Sequence, residues 1–126
     1  MKATELRIGN WVEIQGIQSK IILVDTEGCI CENEYCEDFE NNNITQNLQP
    51  IPLTEEWLER FGFDSVALGY EIDDRFITLR PEEDENGGFD LFIMIANIEQ
   101  PMYITYIDYV HQLQNLYFAL TGEELN

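Results

Sequence analysis

Basic residues are scarce in this sequence. Six Lys and Arg stand against 25 Asp and Glu, a net charge of -19 at pH 7, and no basic residue follows Arg80. A charge of this sign and size opposes association with nucleic acid and with anionic membrane surfaces, because their phosphates would repel it. We therefore expect no direct contact with nucleic acid or membrane, and a partner attracted by charge should present a basic surface.

Long apolar runs are absent as well. No segment approaches the roughly 20 consecutive apolar residues that a membrane-spanning helix needs, and the first residues contain no apolar core of a signal peptide. These absences predict a soluble, cytoplasmic protein. Its 126 residues, 44% hydrophobic and 12% aromatic, suit a single domain over 1–126.

Sequence signatures of catalysis are also missing. There is no glycine-rich phosphate loop, no G-x-S-x-G nucleophile motif and no H-E-x-x-H zinc motif. The single histidine, His111, has neither Ser nor Cys beside it in the sequence, which favours a structural role over that of a general base. We predict that the protein is not an enzyme and has no catalytic residue and no cofactor.

The three cysteines raise the question of a metal site. Cys29, Cys31 and Cys36 could form a four-ligand zinc site with His111, but their spacing departs from the paired C-x2-4-C knuckles of structural zinc sites. Cys29 and Cys31 also suit one apolar face of a strand. We predict reduced thiols and no metal.

Alternating apolar residues predict two groups of antiparallel strands. Residues 1–35 form a first β meander, of which an SH3-like barrel fragment is one form. An acidic, asparagine-rich connector follows over 36–52. Residues 53–126 then contain a short helix, a second meander with strands within 70–72, 76–80, 89–95 and 102–104, and a C-terminal helix.

The short helix has consistent start and stop signals. Thr54 is the predicted N-cap, Gly62 the predicted left-handed residue after the helix, and Phe63 is expected to fold back onto Leu58. The pattern thus predicts a two-turn helix within 53–63.

The C-terminal helix is predicted over 106–120, with Thr105 and Asp108 as a variant capping box and Gly122 at its end. Its apolar arc is wide, which predicts a largely buried helix. Gln114 falls inside that arc and therefore needs a hydrogen-bond partner. The predicted fold class is α+β.

Two candidate contact surfaces emerge, one acidic and one apolar. The acidic candidates are Glu32, Glu34, Glu37, Asp38, Glu82, Glu83, Asp84 and Glu85. The apolar candidates are Trp11, Trp57, Tyr106, Tyr109 and Tyr117. The apolar set would also suit a homodimer face.

Three segments carry a resemblance to a known group of proteins. They are ELRIGNWV at 5–12, IPLTEEWLERFGF at 51–63 and YVHQLQNLYFALTGEEL at 109–125. On these segments the chain resembles a family of short uncharacterised proteins encoded by Bacteroidetes-type bacteria and their phages or prophages. The resemblance implies a phage or mobile-element accessory protein made inside a bacterial cell, and it implies no activity, cofactor or site residue.

Charge and setting together give two functional hypotheses. The first is a non-catalytic protein-binding module whose apolar surface makes contacts insensitive to salt. The alternative is an acidic inhibitor that mimics nucleic acid and occupies a DNA- or RNA-binding protein of host defence. Carboxylates on one face of a strand recur every ~6.7 Å, comparable to the phosphate spacing along one strand, and such binding should weaken steeply with salt.

Overall fold

The structure is a computed structural model that describes residues 5–14, 16–25, 28–32, 48–75, 77–96, 98 and 100–126, the side chains of 23, 25 and 28–30 excepted. Its elements are β1 (Trp11–Ile14), β2 (Ile17–Asp25), β3 (Gly28–Glu32), β4 (Leu48–Gln49), α1 (Glu55–Arg60), β5 (Asp64–Val66), β6 (Gly69–Asp74), β7 (Ile77–Glu83), β8 (Phe89–Ile95), β9 (Met102–Ile107) and α2 (Val110–Thr121). The fold class is α+β, as predicted. The chain divides into two compact units: unit 1 contains Met1–Ile51 and Tyr109–Asn126, and unit 2 contains Pro52–Asp108.

Unit 1 is built on a four-stranded antiparallel sheet in the order β3-β2-β1-β4. Val12 and Ile14 alternate with half-buried neighbours along β1, because successive side chains of a strand point to opposite faces. The core cluster consists of Leu6, Val12, Ile14, Ile21, Cys31 and Leu48. Helix α2 contacts β1, so both ends of the sequence contribute to this unit.

The predicted connector over 36–52 is only partly described. Residues 33–47 lie outside the described residues, and Leu48–Gln49 form β4, which pairs with β1. Sequence reasoning missed this strand, because two residues are too few to show a period. Within unit 1, the backbone N–H of Val110 donates to the carbonyl of Ile51 at 2.9 Å and joins the two segments of the chain.

Unit 2 is an antiparallel meander of five strands in the order β5-β6-β7-β8-β9, with α1 preceding it. Phe89, Leu91 and Ile93 are buried on one face of β8, and the residues between them are half-buried on the other face. The predicted second meander is confirmed, and β5 is a strand that the sequence did not reveal. The backbone N–H of Leu53 donates to the carbonyl of Asp108 at 2.9 Å and links the two ends of this unit.

Helix α1 begins and ends as its local signals predict. The Thr54 hydroxyl accepts the Trp57 N–H at 3.4 Å, and Trp57 and Leu58 are buried. At the other end, Gly62 has a φ of 91° and its N–H donates to the Glu59 carbonyl, while the Phe63 N–H donates to the Leu58 carbonyl at 2.9 Å. This pair of bonds is the Schellman arrangement.

Helix α2 starts four residues later than predicted. The predicted start at Tyr106, with Thr105 and Asp108 as a capping box, is wrong: β9 continues to Ile107, and the N-cap is Tyr109, whose N–H donates to the Gln112 Oε1 at 3.1 Å. Pairing with β8 through the aromatic and β-branched residues of β9 outcompetes the local helix signal. The predicted end is confirmed, since Gly122 has a φ of 76° and caps the helix.

One face of α2 is buried, and the polar residue in it is satisfied. Gln114 is fully buried; its Oε1 accepts the Trp11 N–H at 2.8 Å, and its Nε2 donates to the carbonyls of Gly9 and Leu125, both at 2.9 Å. The predicted need for a partner is thereby confirmed. Phe118 is exposed, so the helix is buried on one face and not all round.

Candidate functional site

The acidic candidates fall in both units. Glu32 is exposed at the end of β3 in unit 1, and Glu34, Glu37 and Asp38 lie outside the described residues. The structure brings together the second group, Glu82–Glu85, at the end of β7 in unit 2. The site is therefore built from this group and its neighbours.

A tight turn joins β7 to β8 and sets the position of these carboxylates. Asp84 and Gly88 pair across the turn through an N–H to carbonyl bond of 3.1 Å, and the Asp84 Oδ1 accepts the Asn86 N–H at 2.9 Å. Gly87 and Gly88 have positive φ angles, which glycine adopts without a steric cost. The turn holds the acidic end of β7 beside the first residues of β8.

On one side of the turn, Glu83 meets Glu55 from the first turn of α1. A hydrogen bond between their side chains, the negative charge of Glu55 and burial raise the pKa of the Glu83 carboxyl above its ordinary value. Burial, the charges of Glu55 and Glu59 and a hydrogen bond to Glu55 also raise the pKa of the Tyr70 hydroxyl. This side of the site favours bound protons, because negative charges are crowded there.

On the other side of the turn, Asp90 and Asp84 form a second pair of neighbouring carboxyl groups. Burial, a hydrogen bond to Asp84 and the charges of Asp84 and Glu82 raise the pKa of the Asp90 carboxyl. Glu82 and Asp90 are direct cross-strand partners, so their side chains project from the same face of the sheet. We call the five residues Glu55, Glu82, Glu83, Asp84 and Asp90 the acidic rim.

Among the described ion pairs, only one includes a residue of the acidic rim, the pair between Arg80 and Glu82. Arg80 donates from its Nε to the Glu82 Oε2 at 2.9 Å, and its Nη1 lies 3.9 Å from the Glu71 Oε1. None of the described ion pairs includes the other four rim carboxylates. Negative charge therefore outweighs the described positive charge at the rim.

Two clefts in unit 2 open at the acidic rim. One has a volume of about 570 Å³ and is lined by Leu53, Thr54, Glu55, Glu56, Glu83, Asp84, Gly87, Gly88 and Phe89. The other has a volume of about 500 Å³ and is lined by Glu55, Ser65, Val66, Ala67, Leu68, Gly69, Tyr70, Glu82 and Glu83. Glu55 and Glu83 line both clefts, so this carboxyl pair faces solvent space on either side.

The apolar candidates do not share one environment. Trp57 and Tyr117 are 5% and 6% exposed, so these two side chains are buried and offer no contact surface. Trp11 and Tyr109 are half-buried in unit 1, the latter stacked on His111 with ring centroids 6.0 Å apart. Tyr106, in unit 2, is 42% exposed.

The cysteines and the histidine are only partly described. Cys31 is buried in the core of unit 1, whereas the side chain of Cys29 and all of Cys36 lie outside the described residues. His111 is 2% exposed on α2, with its Nε2 3.8 Å from the Glu5 Oε2. In the part of the chain that the structure describes, no group of three His, Cys, Asp or Glu side chains is placed to hold a metal ion.

Sequence reasoning missed two residues of the rim. Neither is among the predicted contact residues: Glu55 lies within the predicted short helix and Asp90 within a predicted strand. Asp90 lies six positions from Asp84 and is placed beside Glu82 by the strand register, whereas Glu55 lies 28 positions before Glu83 and meets it because α1 and the end of β7 line the same clefts. The alternation along β8 shows which face of the sheet Asp90 occupies. It does not show that Asp90 pairs with Glu82, because the register between β7 and β8 is not contained in the pattern of either strand.

Comparison with known proteins gives no match: no protein-family model, no curated protein and no solved structure is similar to this chain. Among the described helices, none has the length and apolar character to span a bilayer.

Proposed function

We propose that this chain is a non-catalytic protein-binding module of the phage or mobile-element type, and that its acidic rim recognises a basic protein partner. The observation that supports the proposal is the crowding of carboxyl groups in two pairs: Glu55 with Glu83, which line the same two clefts, and Asp84 with Asp90 at the turn between β7 and β8. Neither pair forms an ion pair with a described cation.

The physical reason is electrostatic. Two carboxylates in contact repel each other, and this repulsion contributes to the raised pKa values of Glu83 and Asp90. A Lys or Arg side chain placed at the pair reduces the repulsion, because it supplies a positive charge beside both carboxylates. The same charges accelerate encounter with a basic partner and make it sensitive to salt.

The clefts give the rim a shape that a side chain can enter. Glu55 and Glu83 line both clefts, and Leu53 and Phe89 add apolar walls to the larger one. Long basic side chains fit such a site, because their methylene stems pack on apolar surface while the charged ends reach the carboxylates.

The test is binding of a fluorescent twelve-residue peptide of alternating Arg and Ser, measured by anisotropy. We expect Glu83→Gln with Asp90→Asn to weaken binding severalfold at low salt, and binding to the wild type to fall steeply between about 50 mM and about 200 mM salt.

The matched control is Asp64→Asn with Asp73→Asn, which removes two charges from exposed positions of the same unit outside the rim. If the control weakens binding as much as the rim variant does, net charge alone drives association and the rim is not the site.

A second candidate function is a nucleic-acid mimic that occupies a DNA- or RNA-binding protein. The observation that favours it is the placement of Glu82 and Asp90 side by side on one sheet face, with Asp84 following along the chain, since adjacent strands lie about 4.8 Å apart and alternate residues ~6.7 Å apart. Capture of a nucleic-acid-binding protein that duplex DNA then displaces would support this function. Displacement by salt but not by DNA would contradict it.

A further inference from the structure

The sheet of unit 2 has one face that carries aromatic and charged side chains together. Register places Arg80 opposite Phe92 and Phe92 opposite Tyr103, while Glu82 lies opposite Asp90 and Asp90 opposite Tyr106. Leu79, Leu91 and Ile93 are buried on the other face. We call this mixed surface the open face.

One arginine of the chain itself already occupies the open face. Arg80 lies between the carboxylates of Glu71 and Glu82, with its guanidinium 5.8 Å from the centroid of the Phe92 ring. Phe92 in turn packs edge-on against Tyr103 with centroids 5.7 Å apart. A guanidinium held by carboxylates beside an aromatic ring is thus the chemistry that this face accommodates.

The next position on the same face has the same components, and none of the described ion pairs places a cation at its carboxylate. Asp90, Phe92, Tyr103 and Tyr106 form a two-by-two group on β8 and β9, which we call the tyrosine patch. Tyr103 is 57% exposed. No described ion pair involves Asp90, and the sequence contains no basic residue beyond Arg80.

The tyrosine patch adjoins the acidic rim directly. The Tyr106 hydroxyl donates to the Gly87 carbonyl at 2.8 Å, and its ring lies so close to Gly88 that a side chain there would collide with it. Asp90 belongs to both the patch and the rim. An aromatic surface and uncompensated carboxylates therefore meet at one end of the sheet.

We infer that the tyrosine patch receives an arginine side chain of the basic partner, with the guanidinium over Tyr103 and hydrogen-bonded to Asp90. This inference rests on the proposed function and adds that the partner presents Arg rather than Lys. Arginine is favoured because its planar guanidinium stacks on rings and is less strongly hydrated than the ammonium of lysine. Charge complementarity selects a basic partner over a second copy of this chain, whose -19 charge would repel the first.

The experiment compares two twelve-residue peptides that differ only in having alternating Arg or alternating Lys. Both are titrated against the wild type, Tyr103→Leu, Tyr103→Phe and Asp90→Asn. We expect the wild type to prefer the Arg peptide about three- to fivefold, Tyr103→Phe to keep that preference, and Tyr103→Leu and Asp90→Asn to lose it. Tyr103→Leu keeps the apolar area and removes the ring, which separates stacking from hydrophobic contact.

The remaining outcomes overturn the inference in distinguishable ways. If both peptides bind equally and their binding is sensitive to salt, the acidic rim recognises charge alone. That result would contradict a specific arginine site on the tyrosine patch. Binding of neither peptide would contradict the proposed function as well. A dimer of the wild type that Tyr103→Leu dissociates in sedimentation would show that the patch covers a second copy.

Discussion

At the residue scale, unit 1 depends on an amide side chain inside its apolar interior. Gln114 joins the turn before β1, the first residue of β1 and the segment after α2 through its bonds to Gly9, Trp11 and Leu125. Asn10 and Asn115 extend the network with a bond of 2.8 Å between their side chains. The interior of this unit is therefore specified by hydrogen-bond geometry as well as by apolar packing.

We expect Gln114→Leu to lower the free energy of unfolding by about 2–4 kcal/mol, because the buried N–H of Trp11 and the carbonyls that Gln114 satisfies lose their partner. Urea unfolding measures the change. Gln18→Leu, at an exposed position of β2, is the control and should change stability by less than about 0.5 kcal/mol. A loss below that limit for Gln114→Leu would show that the network is dispensable.

The carboxyl pair of Glu55 and Glu83 predicts a pH effect of definite sign. Because the pKa of Glu83 is raised above the ordinary 4.5, the folded chain binds this proton more tightly than the unfolded chain does. The resulting stability is fully present below pH 4.5 and is lost as the pH rises through the raised pKa. Glu83→Gln should therefore be more stable than the wild type at about pH 7, and the difference should shrink as the pH is lowered to about 5.

Thermal unfolding of both proteins across this pH range measures the effect, with Glu85→Gln, at an exposed position of the turn, as the control. Parallel pH profiles of wild type and Glu83→Gln would contradict the pairing of the two carboxyls.

At the element scale, the accuracy of the sequence predictions depends on whether an element is determined locally. The signals of α1 lie within 53–63, and both of its ends form as predicted. The start of α2 was misplaced because residues 106 and 107 pair with Asp90 and Phe89 of β8, a contact that no local pattern contains. The short strands β4 and β5 were not predicted from the sequence, because they are defined by pairing with neighbouring strands and are too short to show a period.

The cap of α1 can be tested separately from its packing. We expect Thr54→Ala to cost about 1 kcal/mol in the free energy of unfolding, because the Trp57 N–H loses its acceptor. Thr54→Ser keeps a hydroxyl at the N-cap and should retain most of that stability. Equal losses for the two variants, measured by denaturant unfolding, would mean that the hydroxyl does not cap the helix.

At the scale of the whole molecule, the chain forms unit 1 from its two ends and unit 2 from its middle. The sequence predicted the α+β class, the two meanders and a buried polar residue in the last helix. It did not show that α2 would contact β1, about 100 positions away, because nothing in the composition links the two segments. Nor could it pair Glu55 with Glu83, whose contact depends on how the sheet of unit 2 is placed against α1.

This arrangement predicts long-range destabilisation within unit 1. Leu113 is completely buried on α2, so Leu113→Ala should cost about 2–5 kcal/mol. Hydrogen exchange should then show lost protection in β1 and β2, although these strands precede Leu113 by more than 80 positions. If only the amides of α2 lose protection from exchange, the result would contradict a core shared by α2, β1 and β2.

Whether the acidic rim binds the basic partner can be measured by a ¹³C NMR titration of the Glu83 and Asp90 carboxyl groups, in the free protein and in the protein saturated with the Arg peptide. We expect the pKa values of both groups, raised in the free protein, to fall on binding because the peptide's cations stabilise the ionised carboxylates. Unchanged pKa values in a protein that still binds the peptide would show that the acidic rim is not where the basic partner is recognised.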